Sequence, residues 1–347
     1  MCNIAGYVGE KDAAPVLIDL IKKEEGFAGG YYTGIATIHE GKLYYAKLTG
    51  DCDRLVALTN AAKLPGKIGI MHSRSKSGGG DAWAHPFIGE GGKTAYIANG
   101  CNGFFNDTAA EKRSLTAERL SEAGYRMTSA CRGAIGAYPM LKNGDCVHIS
   151  EVMCQLITEY VNGGSELSMA MESACLELPS EIVALALSLE QPDVIGWARI
   201  NFPGVIGFAS HGAYIASTPA AFPADVTRTE VLPVLSRGVI GKSGFTAVPM
   251  ENFPAVCAAE TDEITERAYA AVKDILTVEP VRPTVLKKKI RTLFGEGDIF
   301  PSNSVMYRTV ARLVSEGYAK IESRTVEGAF APLTAPEFVI SRIEKMR

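Results

Sequence analysis

The sequence predicts an α+β protein in which helices enclose two stacked β-sheets and a short helical module follows. Two strand-rich blocks on either side of a helical stretch predict the sandwich. The loss of strand signals after Pro254 predicts the separate module. A length of 347 residues suits two domains, and 47% hydrophobic with 21% charged residues is enough to bury a large core.

The opening run Cys2 to Val8 reads as a strand ending at Gly9. Asp12 then offers an N-cap for a helix through Lys23, because Pro15 falls in its first turn and Val16, Leu17, Leu20 and Ile21 share a face. Strands follow at 34–39, 42–48, 67–71 and 94–98. From about Asp107 the texture turns helical, over 115–127 and 150–161. Strand signals return at 183–189, 194–200, 205–209, 213–217, 230–235 and 238–243. After the boundary, drawn near residue 258, helices are expected over about 264–277, 284–294 and 302–316. A two-stranded ribbon follows, from 318–326 across Glu327-Gly328 to 330–333, and a short helix runs to Met346. Three helices and a ribbon suggest a winged helix.

Composition excludes several classes. No stretch approaches the ~18 to 20 apolar residues that span a bilayer, and the first residues lack the pattern of a secretion signal, so a cytoplasmic location without membrane contact is expected. The eight cysteines are scattered singly with no CxxC pair, which predicts reduced thiols. Five isolated histidines give no zinc-ligand spacing, so no metal and no cofactor is expected. Net charge is −4, yet residues 264–347 carry 14 Lys and Arg against 10 Asp and Glu. Gly238 to Ser243 mimics a phosphate-binding loop, but Ser236 stands where its first glycine belongs, and a strand is expected there.

Cysteine at position two is unusual, because initiator methionine is normally removed before a small side chain. Removal of Met1 would leave Cys2 with a free α-amine. A thiol of pKa near ~8.5 beside an amine of pKa near ~7.7 to 8 holds nucleophile and base in one residue. Three further motifs follow in order: Met71-His72-Ser73-Arg74-Ser75-Lys76-Ser77, Ala84-His85-Pro86, and Ile97-Ala98-Asn99-Gly100.

Together with Cys2-Asn3-Ile4-Ala5-Gly6-Tyr7-Val8-Gly9, these motifs resemble the class II, N-terminal-nucleophile glutamine amidotransferases, the family that includes the glutaminase domain of glucosamine-6-phosphate synthase. The resemblance runs weakly on through Tyr214-Ile215-Ala216-Ser217 and Val226-Thr227-Arg228 to the strand at Gly238, roughly 70% of the chain, and the domain it defines is drawn as residues 1–258. It implies a four-layer αββα N-terminal-nucleophile hydrolase sandwich and glutamine hydrolysis through a γ-glutamyl thioester on Cys2. It also implies an oxyanion site formed by the Asn99 side chain and the Gly100 N–H. Arg74 is the expected clamp on the substrate carboxylate, with Ser73, Ser77 and His85 around the substrate. His72 and His85 read as residues that orient the loop rather than move protons.

The sequence departs from the family at several positions. Ala28-Gly29 replaces an Arg-Gly, Ser75 replaces an aromatic residue, and Ala98 replaces a histidine. The aspartate that anchors the α-amine of glutamine ahead of a helix has no counterpart in Val147-His148-Ile149-Ser150-Glu151. Glu151 or Asp145 is left to take its place.

The C-terminal residues 259–347 are too few for a sugar-isomerase region. Residues 307–318 resemble a winged-helix recognition helix running into a wing. Ser302, Asn303, Ser304, Arg308 and Arg312, with Lys287 to Lys289, are the candidates for contact with DNA through residues 284–326; the same fold also serves protein contacts. Two functions follow. One is an amidotransferase that releases ammonia to an acceptor site or a partner protein. The other is a regulator that senses an amide through the same domain and contacts DNA or protein through the winged helix. A second copy of the chain is a further candidate partner.

Overall fold

The computed structural model describes residues 2–344. Met1, whose removal is expected from the sequence, and the end of the expected C-terminal helix lie outside the described residues. In chain order the first half contains β1 (Asn3–Gly9), α1 (Ala13–Glu24), β2 (Tyr32–His39), β3 (Lys42–Thr49), α2 (Cys52–Leu58), β4 (Ile68–Arg74), β5 (Phe87–Ile88), β6 (Thr94–Cys101), α3 (Ala110–Glu122), β7 (Cys131–Arg132), β8 (Asp145–Cys146), α4 (Ile149–Asn162) and α5 (Leu167–Glu177). The strands β9 (Glu181–Ser188), β10 (Ile195–Arg199), β11 (Val205–Ala209), β12 (Gly212–Ala216), β13 (Arg228–Val231), β14 (Ser236–Gly241), β15 (Gly244–Phe245) and β16 (Val248–Pro249) follow. The chain continues with α6 (Asp262–Ile275), α7 (Pro283–Arg291), α8 (Ser302–Ser315), β17 (Ala319–Glu327) and β18 (Thr334–Arg342).

Two seven-stranded sheets form the sandwich. The first has the order β13-β11-β12-β1-β4-β2-β3, and the second runs β15-β14-β10-β9-β6-β5 with β16 on β14. Strand alternation explains the layers. On β1, Ile4 and Val8 enter the core between the sheets with Ile68 and Ile70 of β4 and Ile97, Leu185 and Trp197 of the second sheet. The intervening Ala5 and Tyr7 pack outward against Leu17, Leu20 and Ile21 of α1. The outer face of the second sheet is covered by α3, α4 and α5 through Leu120, Leu156 and Met171. This is the four-layer αββα arrangement of an N-terminal-nucleophile hydrolase.

Because β1 is central, both of its faces are occupied, and whatever precedes it is delivered to the middle of the sheet. Asn3 pairs with Ser73 and Ile4 with His72, so the register places Cys2 at the end of β4. The His-Ser-Arg segment is thus the end of a strand rather than a loop. Gly238 to Gly241 lies in β14, as its periodicity requires.

Helices α6, α7 and α8 pack with the antiparallel β17–β18 ribbon around Val272, Leu286, Ile290, Val310 and Leu313. The ribbon's second strand runs through Thr334–Arg342, which corrects the expected second strand at 330–333 and the short helix expected after it. Alternation at Ala335, Val339 and Ser341, interrupted by Pro336, hides this strand from a periodicity argument.

The expected DNA-contacting side chains of α8 are committed elsewhere. Ser302, Asn303 and Ser304 are buried, and Arg308 binds Glu260 at 2.7 Å. Arg312 pairs with Glu266 at 2.6 Å and Glu316 at 2.9 Å. Burial corrects Ser302, Asn303 and Ser304 as DNA contacts, while Arg308 and Arg312 of α8 are engaged in ion pairs within the chain. Tyr307 stacks at 4.9 Å on Phe27, and Phe27 meets Phe338 at 5.2 Å, so the helical module seats on the segment after α1.

Candidate active site

Alternation along β1 and β4 builds the site. Ile68 and Ile70 face the intersheet core, so His72 and Arg74 continue on that face toward Cys2. On β6, Ala95 and Ile97 face the same core, which carries Asn99 to the nucleophile, while Tyr96 and Ala98 face α4. The Cys2 backbone nitrogen donates to Asn99 Oδ1 at 2.8 Å. Asn99 Nδ2 is buried and has no partner among the described residues. Gly100 must lack a side chain, because a Cβ there would stand 2.1 Å from the Glu181 carbonyl oxygen.

The Cys2 thiol is buried, and the Ser75 N–H donates to its Sγ at 3.5 Å. Burial pushes this thiol up, but the neighbouring His72 imidazole and the Ser75 N–H outweigh it, and the pKa falls to about 6. The His72 ring, which stands beside the thiol, carries most of that lowering, and its two nitrogens are buried with no other partner among the described residues.

A cavity of about 450 Å3 opens from Cys2 across the outer face of β6 to the start of α4. Arg74, Ser77 and His85 line it as the motifs suggest. Arg74 is 2% exposed, and its guanidinium donates to Gly78 O at 3.0 Å, Trp83 O at 3.3 Å and Tyr138 Oη at 3.2 Å. All three acceptors are uncharged, and among the described residues no carboxylate pairs with it. A desolvated cation without a counter-charge is a site for an anion.

Two expected substrate contacts are corrected. Ser73 faces the opposite side of β4, where its Oγ donates to Glu25 Oε2 at 3.0 Å and accepts from the Gly30 N–H at 2.7 Å. Glu151 is fully buried outside the cavity lining and accepts the N–H and hydroxyl groups of Thr128 and Ser129, at 2.5 to 2.8 Å. A carboxylate with four donors is an anchor for the 128–129 segment. Asp145 sits on β8 beside Arg132 at 3.6 Å and also lies outside the lining.

The cavity includes residues that sequence reasoning did not single out: Tyr96, Tyr138, His148, Ile149 and Met153. His148 carries a readable signal, since it stands at the helix start and its Nδ1 accepts from the Ser150 N–H at 3.0 Å. Tyr138 comes from an irregular segment and has no such signal. His72 and His85 stack at 4.0 Å, and His148 lies 5.4 Å beyond His85. Burial first, then the neighbouring imidazoles and Arg74, hold His85 and His148 well below the usual histidine range, so both are neutral.

A glutamine–fructose-6-phosphate aminotransferase (isomerizing) of Pyrococcus horikoshii is 29% identical over 248 residues, covering 71% of this chain and 37% of that protein. The chain is a relative of the class II glutamine amidotransferases. The corresponding aminotransferase of Zymomonas mobilis is 25% identical over 351 residues, covering 100% of this chain and 48% of that protein. The chain thus spans between about a third and a half of these relatives. No family model matches it. Glutamine phosphoribosylpyrophosphate amidotransferase from B. subtilis, solved with ADP and GMP, has the same fold at a TM-score of 0.56 and 15% identity, covering 80% of this chain and 59% of that one. Among the described residues no helix is long and apolar enough to cross a membrane.

Proposed function

We propose that the chain hydrolyses a carboxamide through a Cys2 thioester and releases ammonia. The observation that carries this reading is the convergence of groups on Cys2: its thiol and an Arg74 without a counter-charge line one cavity, and Asn99, whose Oδ1 accepts from the Cys2 nitrogen at 2.8 Å, stands beside it with Nδ2 free among the described residues. The thiolate attacks the carboxamide carbon, and the oxyanion takes hydrogen bonds from Asn99 Nδ2 and the Gly100 N–H. The α-amine of Cys2, exposed by loss of Met1, carries a proton to the departing nitrogen, and ammonia leaves. The same amine then takes a proton from water as it attacks the thioester, which frees the acid and restores the thiol. Arg74 holds a carboxylate of the substrate, and His85 and Ser77 shape the cavity. The ammonia acceptor is another site or a partner protein.

The C-terminal residues 259–347 act in this reading as a winged-helix-like module docked within the chain. The segment ahead of it pairs with the module: the Ala258 N–H donates to Ile299 O at 3.0 Å and the Ile299 N–H to Val256 O at 3.2 Å. The test is intact-mass analysis after incubation with a glutamine-analogue diazoketone. One adduct on a chain lacking Met1, absent from Cys2→Ala, is expected. Full activity with Met1 retained would sink the mechanism.

A further inference from the structure

The end of the cavity away from Cys2 carries no acid. Among the residues lining it there is no Asp or Glu. Within residues 147–151, where the family places its amine anchor, His148, Ile149 and Ser150 line the cavity and Glu151 is turned away onto Thr128 and Ser129. The nearest acid in sequence to the lining residues Ser180 and Ile182 is Glu181. Its Oε1 accepts from the Phe104 N–H at 2.9 Å and its Oε2 from Asn201 Nδ2 at 2.5 Å.

What the cavity offers instead is neutral. His85 Nδ1 and Nε2 and His148 Nε2 are buried without partners among the described residues; neutral His85 presents one donor and one acceptor, and His148, whose Nδ1 accepts from Ser150, presents one donor. Ile149, Met153 and Tyr96 add apolar wall, and about 450 Å3 falls within the range of small-molecule sites, roughly 300 to 1,000 Å3. A substrate ammonium here would be a second buried cation beside Arg74. The substrate carboxylate pairs with Arg74, the Cys2 thiolate lies at the other end, and no acid among the lining residues is left to pair with the ammonium where it would sit.

We propose that the substrate is a γ-carboxamide with a free α-carboxylate and an uncharged, acylated α-nitrogen, that is, an Nα-acylglutamine. This rests on the amide-hydrolysing reading above. Arg74 takes the carboxylate, the free imidazole nitrogens of His85 and His148 meet the acyl amide, and the acyl chain lies against Ile149 and Met153. Hydrolysis proceeds at the γ-carboxamide as before, with water consumed, ammonia released and the acyl group untouched.

The test compares kcat/KM for N-acetylglutamine and glutamine on the Met1-free protein, together with the dissociation constants of both for Cys2→Ala. At least tenfold preference for N-acetylglutamine in both measurements is expected. Preference for glutamine in turnover overturns the inference and leaves the amide-hydrolysing reading standing. If neither compound is turned over, that reading falls, and binding to Cys2→Ala still decides: tighter N-acetylglutamine supports the substrate class, while tighter glutamine, or binding of neither, overturns it. Ile149→Asp supplies the missing anion and is expected to move the ratio toward glutamine by roughly 10- to 150-fold, the worth of one charged hydrogen bond. A folded Ile149→Asp protein with an unchanged ratio would refute the location of the nitrogen.

Discussion

Cys2 and Asn3 are consecutive, yet the two faces they serve treat buried charge in opposite ways. In front of β1, the Cys2 thiol is buried but lowered to about 6, because His72 and the Ser75 N–H stand beside it. Behind β1, Asn3 shares a face with Ser73, and the acids there are Glu24 and Glu25. Burial holds Glu24 well above the usual carboxylate range. Burial raises Glu25 to about 8, with Asp51 and Asp53 adding to the shift and the Ser73 hydroxyl and Cys52 N–H opposing it only in part. Desolvation has the same sign on both faces. The neighbours decide the outcome: donors in front favour an anion, and acids behind forbid one.

The docked module contributes to the rear face. Tyr307 of α8 is fully buried there, with Glu24 and Asn3 around its phenol. Removing the module's contacts would expose uncharged carboxyl groups to water and let them ionise. The rear face is therefore a dry polar layer between two packed units, whereas the front face is open to a cavity.

The largest expected break in this contrast is Cys2→Ala. Hydrolysis should fall to background while circular dichroism and melting stay close to wild type, since thiol to methyl removes little apolar area. Cys101→Ala, at the exposed cavity rim, and Cys154→Ala, within α4, should keep activity. Equal loss in all three would move the nucleophile elsewhere. Next in size is Asn99→Ala, which removes the free Nδ2 donor. A loss of about 100- to 1,000-fold in kcat, with KM changed less, is expected for one oxyanion donor. An unchanged kcat would assign the oxyanion to other groups.

The third test uses pH to separate the faces. In front, alkylation of Cys2 by iodoacetamide should remain fast down to about pH 6 and fail below it, because the thiolate is favoured there. Behind, Glu25 has a folded pKa above its ordinary 4.5, so the unfolded chain releases its proton first as pH rises. Its contribution to stability is therefore full below about 4.5 and declines until about pH 8. The slope from this one group is about 1.4 kcal/mol per pH unit. Glu25→Gln should flatten that slope in denaturant titrations between pH 5 and pH 8 while leaving the alkylation profile in place. A slope unaffected by Glu25→Gln would show that this carboxyl ionises freely.

The sequence motifs announced the front face far better than the rear. Cys2, Arg74, Asn99 and Gly100 fall at strand ends whose register is set by alternating apolar residues, so their convergence follows from pattern. Ser73 shows the limit of motif reading. It lies between two cavity-facing residues, and the period of two along β4 turns it away. Glu151 shows another limit, because its partners Thr128 and Ser129 lie in an irregular segment that no periodicity places. The three helices of the C-terminal module were legible from their spacing. Their burial against the segment after α1 was not, since the serines and asparagine of α8 look like solvent-facing residues in the absence of a partner surface.

The smallest expected effect is also the one that bears most directly on the rear face. Ser73→Ala removes the hydroxyl that donates to Glu25 and accepts from the Gly30 N–H, and it faces Thr33 Oγ1 at 3.3 Å. Leaving such buried groups without a partner typically costs about 1 to 3 kcal/mol, more than the hydrogen bonds contribute when made. Lower stability by that amount is expected in urea, with Glu25 raised further because a donor that favoured its charged form is gone. The front face should barely register the change, since Ser73 points away from Cys2 and makes no bond to Arg74. Unchanged KM and kcat alongside the loss of stability would sharpen the division between the faces. A KM raised tenfold or more with stability intact would instead return Ser73 to the substrate site.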